Sequence, residues 1–247
     1  MEPKLRTVNK AKPPYPMNCF PRGFIETFGA EISYMRATKE TMSIEGDEWE
    51  QVFANCVGAE WKKSNVGLDD VVLGNCCWGA KTVFASRLAM ERQETVRLIC
   101  GRNSPIYSYG EGDIATTADP DHLGALVLEI WNERVSAIRQ YYKFMRTVVL
   151  VKSKDYSEYL IFELDTVRYD PKDYFFVWNK QGNLEGYSKC DEMKKFTWQP
   201  HGSQFTIIEK IPPERVHLKI RKPEKVDKET ILKSIGYDGS WVEIVEN

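Results

Sequence analysis

The sequence predicts an α/β fold, a mixed central β-sheet flanked by helices with an added β-rich C-terminal part. Three observations predict it. Apolar side chains recur at helical spacing over residues 47–60 and again from 119 to about 145. Between these helices, two short apolar runs meet at a Gly-Asn turn. After the second helix come several β-type runs, and that order suits a sheet with helices on its faces.

The elements follow in chain order. Residues 1–20 hold Lys4, Arg6, Lys10 and Lys12 beside four prolines, which excludes a regular helix and predicts an extended basic arm. Such an arm is either a loose terminus or a contact to phosphate. Trp49, Val52, Phe53 and Cys56 then form an amphipathic stripe. Residues 66–73 are apolar except for Asp69 and Asp70, Gly74-Asn75 makes a turn, and residues 76–84 form a second strand. Residues 86–94 read as helical or irregular, and 96–100 as a short buried strand.

A polar, turn-rich stretch covers 102–118. Asp119-Pro120-Asp121 starts the longest helix, whose spacing runs to about Met145. Strands are predicted at 147–151, 159–164, 174–178, 196–199 and 205–208, with a turn at 179–183. A short helix is predicted from Lys228 to Ile235. The domain division is thus an arm (1–20), a core (21–222) and a charged tail (223–247).

The 247 residues are 42% hydrophobic and 28% charged, with a net charge of −2, which excludes a protein that coats nucleic acid by being basic. It leaves room for a nuclease, whose acidic metal ligands offset a basic cleft. No apolar run approaches the roughly 20 residues of a membrane span, and the first residues lack the apolar stretch of a secretory leader. Six scattered cysteines without a C-x-x-C pair read as reduced core thiols of a cytoplasmic protein. Three histidines give no zinc spacing.

Residues 66–94 carry the chemistry. Carboxylates inside an apolar strand are costly to bury unless a cation or partner compensates them. Lys81 in the next strand poses the same problem, and a hairpin would set Asp70 beside Lys81. Phosphodiester hydrolysis uses such a set. Carboxylates hold Mg²⁺, which stabilises charge on the phosphate, and a lysine assists the attacking water.

These residues resemble the PD-(D/E)XK nuclease superfamily, type II restriction endonucleases in particular. The resemblance spans roughly residues 45–100: a helix with Glu48 or Glu50, Asp70 on the first hairpin strand, and Lys81 closing the triplet on the second. It departs at Gly79-Ala80-Lys81, where the second carboxylate is missing. Some members take that ligand from the following helix, about a dozen residues beyond the lysine. Residues 82–93 separate Lys81 from Glu94, so the resemblance implies Glu94 as the replacement, with Glu91 as second choice.

Residues 194–205 combine Gln199, His201, Ser203 and Gln204, suited to base edges, with Lys194 and Lys195, suited to phosphate. The competing reading is a hairpin with Phe196, Trp198 and Phe205 in the core and a solvated tip. Arg102, Tyr107 and Tyr109 are weaker DNA contacts, while Trp131, Tyr141 and Tyr142 read as packing or a dimer seam.

The functional expectation is a sequence-specific, Mg²⁺-dependent endonuclease of double-stranded DNA, acting as a homodimer on a palindromic site. Asp70 and Glu94 would bind Mg²⁺, Lys81 would assist the water, and Glu48 or Glu50 would orient a second water or metal. The alternative is an inactive nucleic-acid-binding or interaction protein on the same fold, with Gly79 marking a lost site. An enzyme of small phosphorylated substrates ranks last, since neither a P-loop nor a G-x-G-x-x-G is present.

Overall fold

Two β-sheets and five α-helices build the described part of this computed structural model, residues 11–41, 43–64, 66–86, 89–110 and 118–245. Helix α1 (Phe24–Thr38) buries Phe24, Phe28, Ile32 and Arg36, a stripe with one residue per turn. Helix α2 (Gly46–Val57) buries the expected Trp49, Val52, Phe53 and Cys56. A capping box between Glu45 and Glu48 starts it, and Gly58, at φ 66°, ends it. The two helices lie on one face of the first sheet, with Phe28 edge-on to Trp49 at 6.0 Å and Phe53 edge-on to Trp78 at 5.6 Å.

That sheet has the strand order β1-β2-β3-β5-β6-β11: β1 (Glu60–Trp61), β2 (Val71–Leu73), β3 (Cys76–Phe84), β5 (Phe144–Lys152), β6 (Glu158–Asp165) and β11 (Val216–Lys219). Strands β3 and β5 run parallel while the other neighbours run antiparallel, so the sheet is mixed. The second sheet is antiparallel in the order β4-β10-β9-β8-β7: β4 (Thr95–Arg102), β7 (Tyr174–Trp178), β8 (Leu184–Ser188), β9 (Lys194–Gln199) and β10 (Gln204–Lys210).

Helix α3 (Pro105–Tyr109) is a single short turn. Helix α4 (Pro120–Arg139) is capped by Asp119 with proline in its first turn. Leu123, Val127, Leu128, Trp131 and Val135 of α4 share one core with Val149, Val151, Leu160 and Phe162 of the first sheet and with Phe196, Trp198 and Phe205 of the second. Gly124 permits this packing, because a Cβ there would lie 2.2 Å from the Phe176 ring. The architecture is thus α/β, with mixed and antiparallel sheets flanked by helices.

Several elements differ from expectation. The long helix stops at Arg139, and Phe144 and Met145 join β5 because they pair with Cys76 and Cys77 of β3. Residues 66–70 form a loop rather than a strand. Among the described residues of the 86–94 connection, a 3-10 turn forms at Met90–Arg92. The arm is not loose in its second half. Tyr15 is buried, its hydroxyl and the Asn18 amide both donate to the Glu163 carboxylate, and Arg146 pairs with that carboxylate at 3.2 Å. Residues 1–10, with Lys4, Arg6 and Lys10, lie outside the described residues. All six cysteines are free, but Cys19 and Cys190 are exposed rather than in the core. In the tail, α5 (Lys228–Ser234) buries no side chain. No helix among the described residues is long and apolar enough to cross a membrane.

Candidate active site

The β2–β3 hairpin turns at Gly74-Asn75, with Gly74 at φ 58°, and pairs Leu73 with Cys76 and Val71 with Trp78. Asp70 sits just beyond the end of this ladder. Its carboxylate accepts the Ala80 backbone N–H at 3.0 Å and its carbonyl accepts the Lys62 N–H at 2.7 Å. The side chain is buried, and burial pushes its carboxyl from 3.8 up to about 6. The Lys81 ammonium and the Ala80 N–H oppose that rise, while the charge of Glu50 adds to it. Glu50 from α2 and Lys81 from β3 thus stand within electrostatic reach of Asp70, in the loop before β2.

The adjacent carboxylates divide their roles. Asp69 is tied to Lys62 at 2.6 Å and to the Ser64 hydroxyl. Among the described residues Asp70 has no ion pair in hydrogen-bonding contact, and Lys81 donates to the Gly67 carbonyl at 3.2 Å. The structure also separates the two helix glutamates. Glu48 is consumed by the capping box and by Lys39 at 2.6 Å, whereas Glu50 accepts only the Trp61 indole N–H at 2.9 Å among its described bonds.

Gly79 has a packing reason. A Cβ there would lie 2.9 Å from the Gly67 oxygen and 3.2 Å from the Leu68 Cα, so the loop before Asp70 occupies the space a carboxylate would need. Glu94 does not fill the gap. It is exposed at the start of β4, and its carbonyl accepts the Ile211 N–H. Cys100, which lies within electrostatic reach of Lys81, is roughly 20 Å farther along β4 at about 3.3 Å per residue. Glu91 is exposed on the 3-10 turn. Among the described residues no α-helix stands between β3 and Glu94 to return a glutamate to the site.

Among the described residues no group of three or more His, Cys, Asp or Glu is placed to hold a metal. Asp70 and Glu50 are oxygen donors of the kind magnesium takes, since it keeps several waters and binds through one or two carboxylates plus substrate phosphate. A buried acid with raised proton affinity, beside a second carboxylate, is a group that a cation would ionise.

The 194–205 segment splits in two. Gln199 pairs with Gln204 across a hairpin whose tip holds exposed His201, Gly202 at φ 82° and Ser203 at φ 53°. Phe196, Trp198 and Phe205 are core. Lys194 and Lys195 lie at the opposite end of β9, roughly 17 Å away by strand rise. Lys194 is paired with Glu185, and Lys195 with Glu209 at 2.7 Å while lying over the Tyr169 ring. They do not join the tip as expected, because β9 is a regular strand and both cations already have acidic neighbours.

The hairpin tip instead lies at the same end as Lys81. Arg102 is opposite Gln204, and Asn103 donates its backbone N–H to the Ser203 carbonyl at 2.8 Å. Exposed Tyr107 and Tyr109 follow on α3, Tyr141 is exposed, Tyr142 lies near Lys62, and Trp131 is core. Two residues escaped the sequence reading. Asn103 is fully buried, and Arg134 donates to Cys100 O at 2.6 Å, to Asn103 Oδ1 at 3.1 Å and to Val66 O. An arginine on a long helix carries no signal of such a reach. No protein-family model, curated protein or solved structure matches the chain.

Proposed function

We propose that the chain is a Mg²⁺-dependent endonuclease hydrolysing double-stranded DNA at a chosen sequence, on a core like that of type II restriction endonucleases. The observation that supports this best is the buried Asp70 carboxyl at the end of the β2–β3 ladder, within electrostatic reach of Glu50 on a helix and Lys81 on a strand. Asp70 and Glu50 would hold the magnesium, which supplies charge stabilisation to the phosphate and its leaving oxygen. Lys81, half-buried and donating to the neutral Gly67 carbonyl, would orient the attacking water and favour its ionised form. The water gives one proton to solvent, its oxygen forms a bond to phosphorus, the bond to one ester oxygen breaks, and that oxygen leaves with a proton taken from solvent.

Gln199, His201, Ser203 and Gln204 at the hairpin tip would contact base edges. Lys194 and Lys195 are assigned to the second sheet's own ion pairs. A homodimer would bring two such sites to a palindrome, one per strand.

The test is incubation of the purified chain with a mixture of plasmids, with and without Mg²⁺. Discrete fragments in Mg²⁺ alone support the reading. Duplex binding without cutting, in Mg²⁺ or Mn²⁺, would replace it with the inactive binding protein.

A further inference from the structure

Arg134 reaches from α4 between two loops that belong to different sheets. One of its nitrogens donates to the Val66 carbonyl, at the start of the loop that ends in Asp70. The other donates to Cys100 O at 2.6 Å and to Asn103 Oδ1 at 3.1 Å, at the end of β4. These acceptors are all neutral. Burial holds the guanidinium below its ordinary value, so its charge is kept here at a cost.

Gly101 makes room for it. This glycine sits at φ 103°, and a Cβ on it would lie 2.8 Å from both guanidinium nitrogens. Asn103 carries the connection onward. Its N–H donates to Ser203 O at 2.8 Å, its side-chain amide donates to Val127 O at 2.9 Å, and its carbonyl accepts the Trp198 indole N–H at 2.7 Å. A continuous run of hydrogen bonds thus links Ser203 of the hairpin tip, through Asn103 and Arg134, to the loop carrying Asp70.

We propose that Arg134 is a positioning residue that couples the conformation of the 199–204 hairpin tip to that of the 66–70 loop. Its functional meaning rests on the nuclease reading: a duplex engaged at the tip would set Gly67 and Asp70 against Lys81 for cutting. The fork of the guanidinium matters more than its charge, because three carbonyl-type acceptors in two segments are held at once. A lysine can reach one segment but not bridge both.

The test is a double-mutant cycle read by hydrogen exchange of the free protein. Gly202→Ala strains the tip at φ 82° where no atom lies within 4 Å of the new Cβ, so its direct effect stays local. In the wild-type background it is expected to speed exchange of the 66–70 amides about fivefold or more, and in the Arg134→Lys background less than about twofold. Gly101→Ala, which displaces the guanidinium without removing it, is the second background should Arg134→Lys fail to fold. The kinetic arm uses Mg²⁺ and plasmid. Arg134→Lys should lower kcat about tenfold or more with KM changed less than about twofold, and narrow the rate ratio between preferred and altered sites.

Equal exchange effects in both backgrounds, or none in wild type, would overturn the coupling. A positive cycle in a protein that never cuts DNA would remove the nuclease reading and leave the coupling standing.

Discussion

The carbonyl oxygen of Gly67 lies 2.9 Å from where a Cβ on Gly79 would stand, and the same oxygen accepts the Lys81 ammonium at 3.2 Å. The missing carboxylate of the triplet and the placement of the lysine therefore have one cause, a loop backbone pressed against β3. Gly79→Ala is expected to destabilise the protein by about 1–3 kcal/mol, since backbone rather than a flexible side chain must move. Gly79→Glu should not restore a ligand. Urea unfolding midpoints check the first, and cleavage assays in Mg²⁺ the second.

The β2–β3 hairpin, the α2 stripe and the α4 start were legible because Gly-Asn, i/i+3/i+4 spacing and Asp-Pro are local signals. The register that this turn sets brings Asp70 to the Ala80 N–H, one residue short of Lys81, which donates to the Gly67 carbonyl instead. The choice of Glu50 over Glu48 was not legible, because it depends on Lys39 taking Glu48. The Glu94 expectation assumed a helix after β3, and no local pattern revealed that β4 would carry residue 94 away into another sheet. Helix α1 was overlooked although Phe24, Phe28 and Ile32 repeat every four residues. Arg134 and Asn103 were beyond reach, since their contacts span 24 to 100 residues of sequence.

Glu50→Gln should lose most of the Mg²⁺-dependent rate, at least tenfold, because charge rather than shape holds magnesium. Glu48→Gln should keep activity and cost about 1 kcal/mol of stability through the weakened capping box. Glu94→Ala should fold and cut at the wild-type rate. Parallel cleavage rates and unfolding curves of the three variants check this.

The Asp70 carboxyl is raised from 3.8 to about 6, so between those pH values the native state holds a proton that the unfolded chain releases. Stability in the absence of divalent cations should therefore fall as pH rises through about 4 to 6. Asp70→Asn should match wild type near pH 4 and exceed it at pH 8 by on the order of 2–3 kcal/mol. Added Mg²⁺ should narrow that difference for wild type, since a cation favours the ionised form. Urea unfolding across pH, with and without Mg²⁺, reads all three effects.

Gln199→Ala, His201→Ala and Gln204→Ala should each relax sequence preference by roughly 1–3 kcal/mol if its side chain meets a base edge. Lys194→Ala and Lys195→Ala should leave the salt dependence of DNA binding unchanged, because Glu185 and Glu209 already hold these cations. Competition binding on a panel of duplexes at several salt concentrations separates the two sets.

The central claim is that Lys81 acts in the chemical step beside Asp70. The most direct measurement is the single-turnover cleavage rate of supercoiled plasmid in Mg²⁺ for wild type and Lys81→Ala, with folding and duplex binding measured on the same samples. The account predicts a loss of about a thousandfold or more in rate, with binding and unfolding midpoint nearly unchanged. A folded Lys81→Ala protein that cuts at the wild-type rate would contradict it.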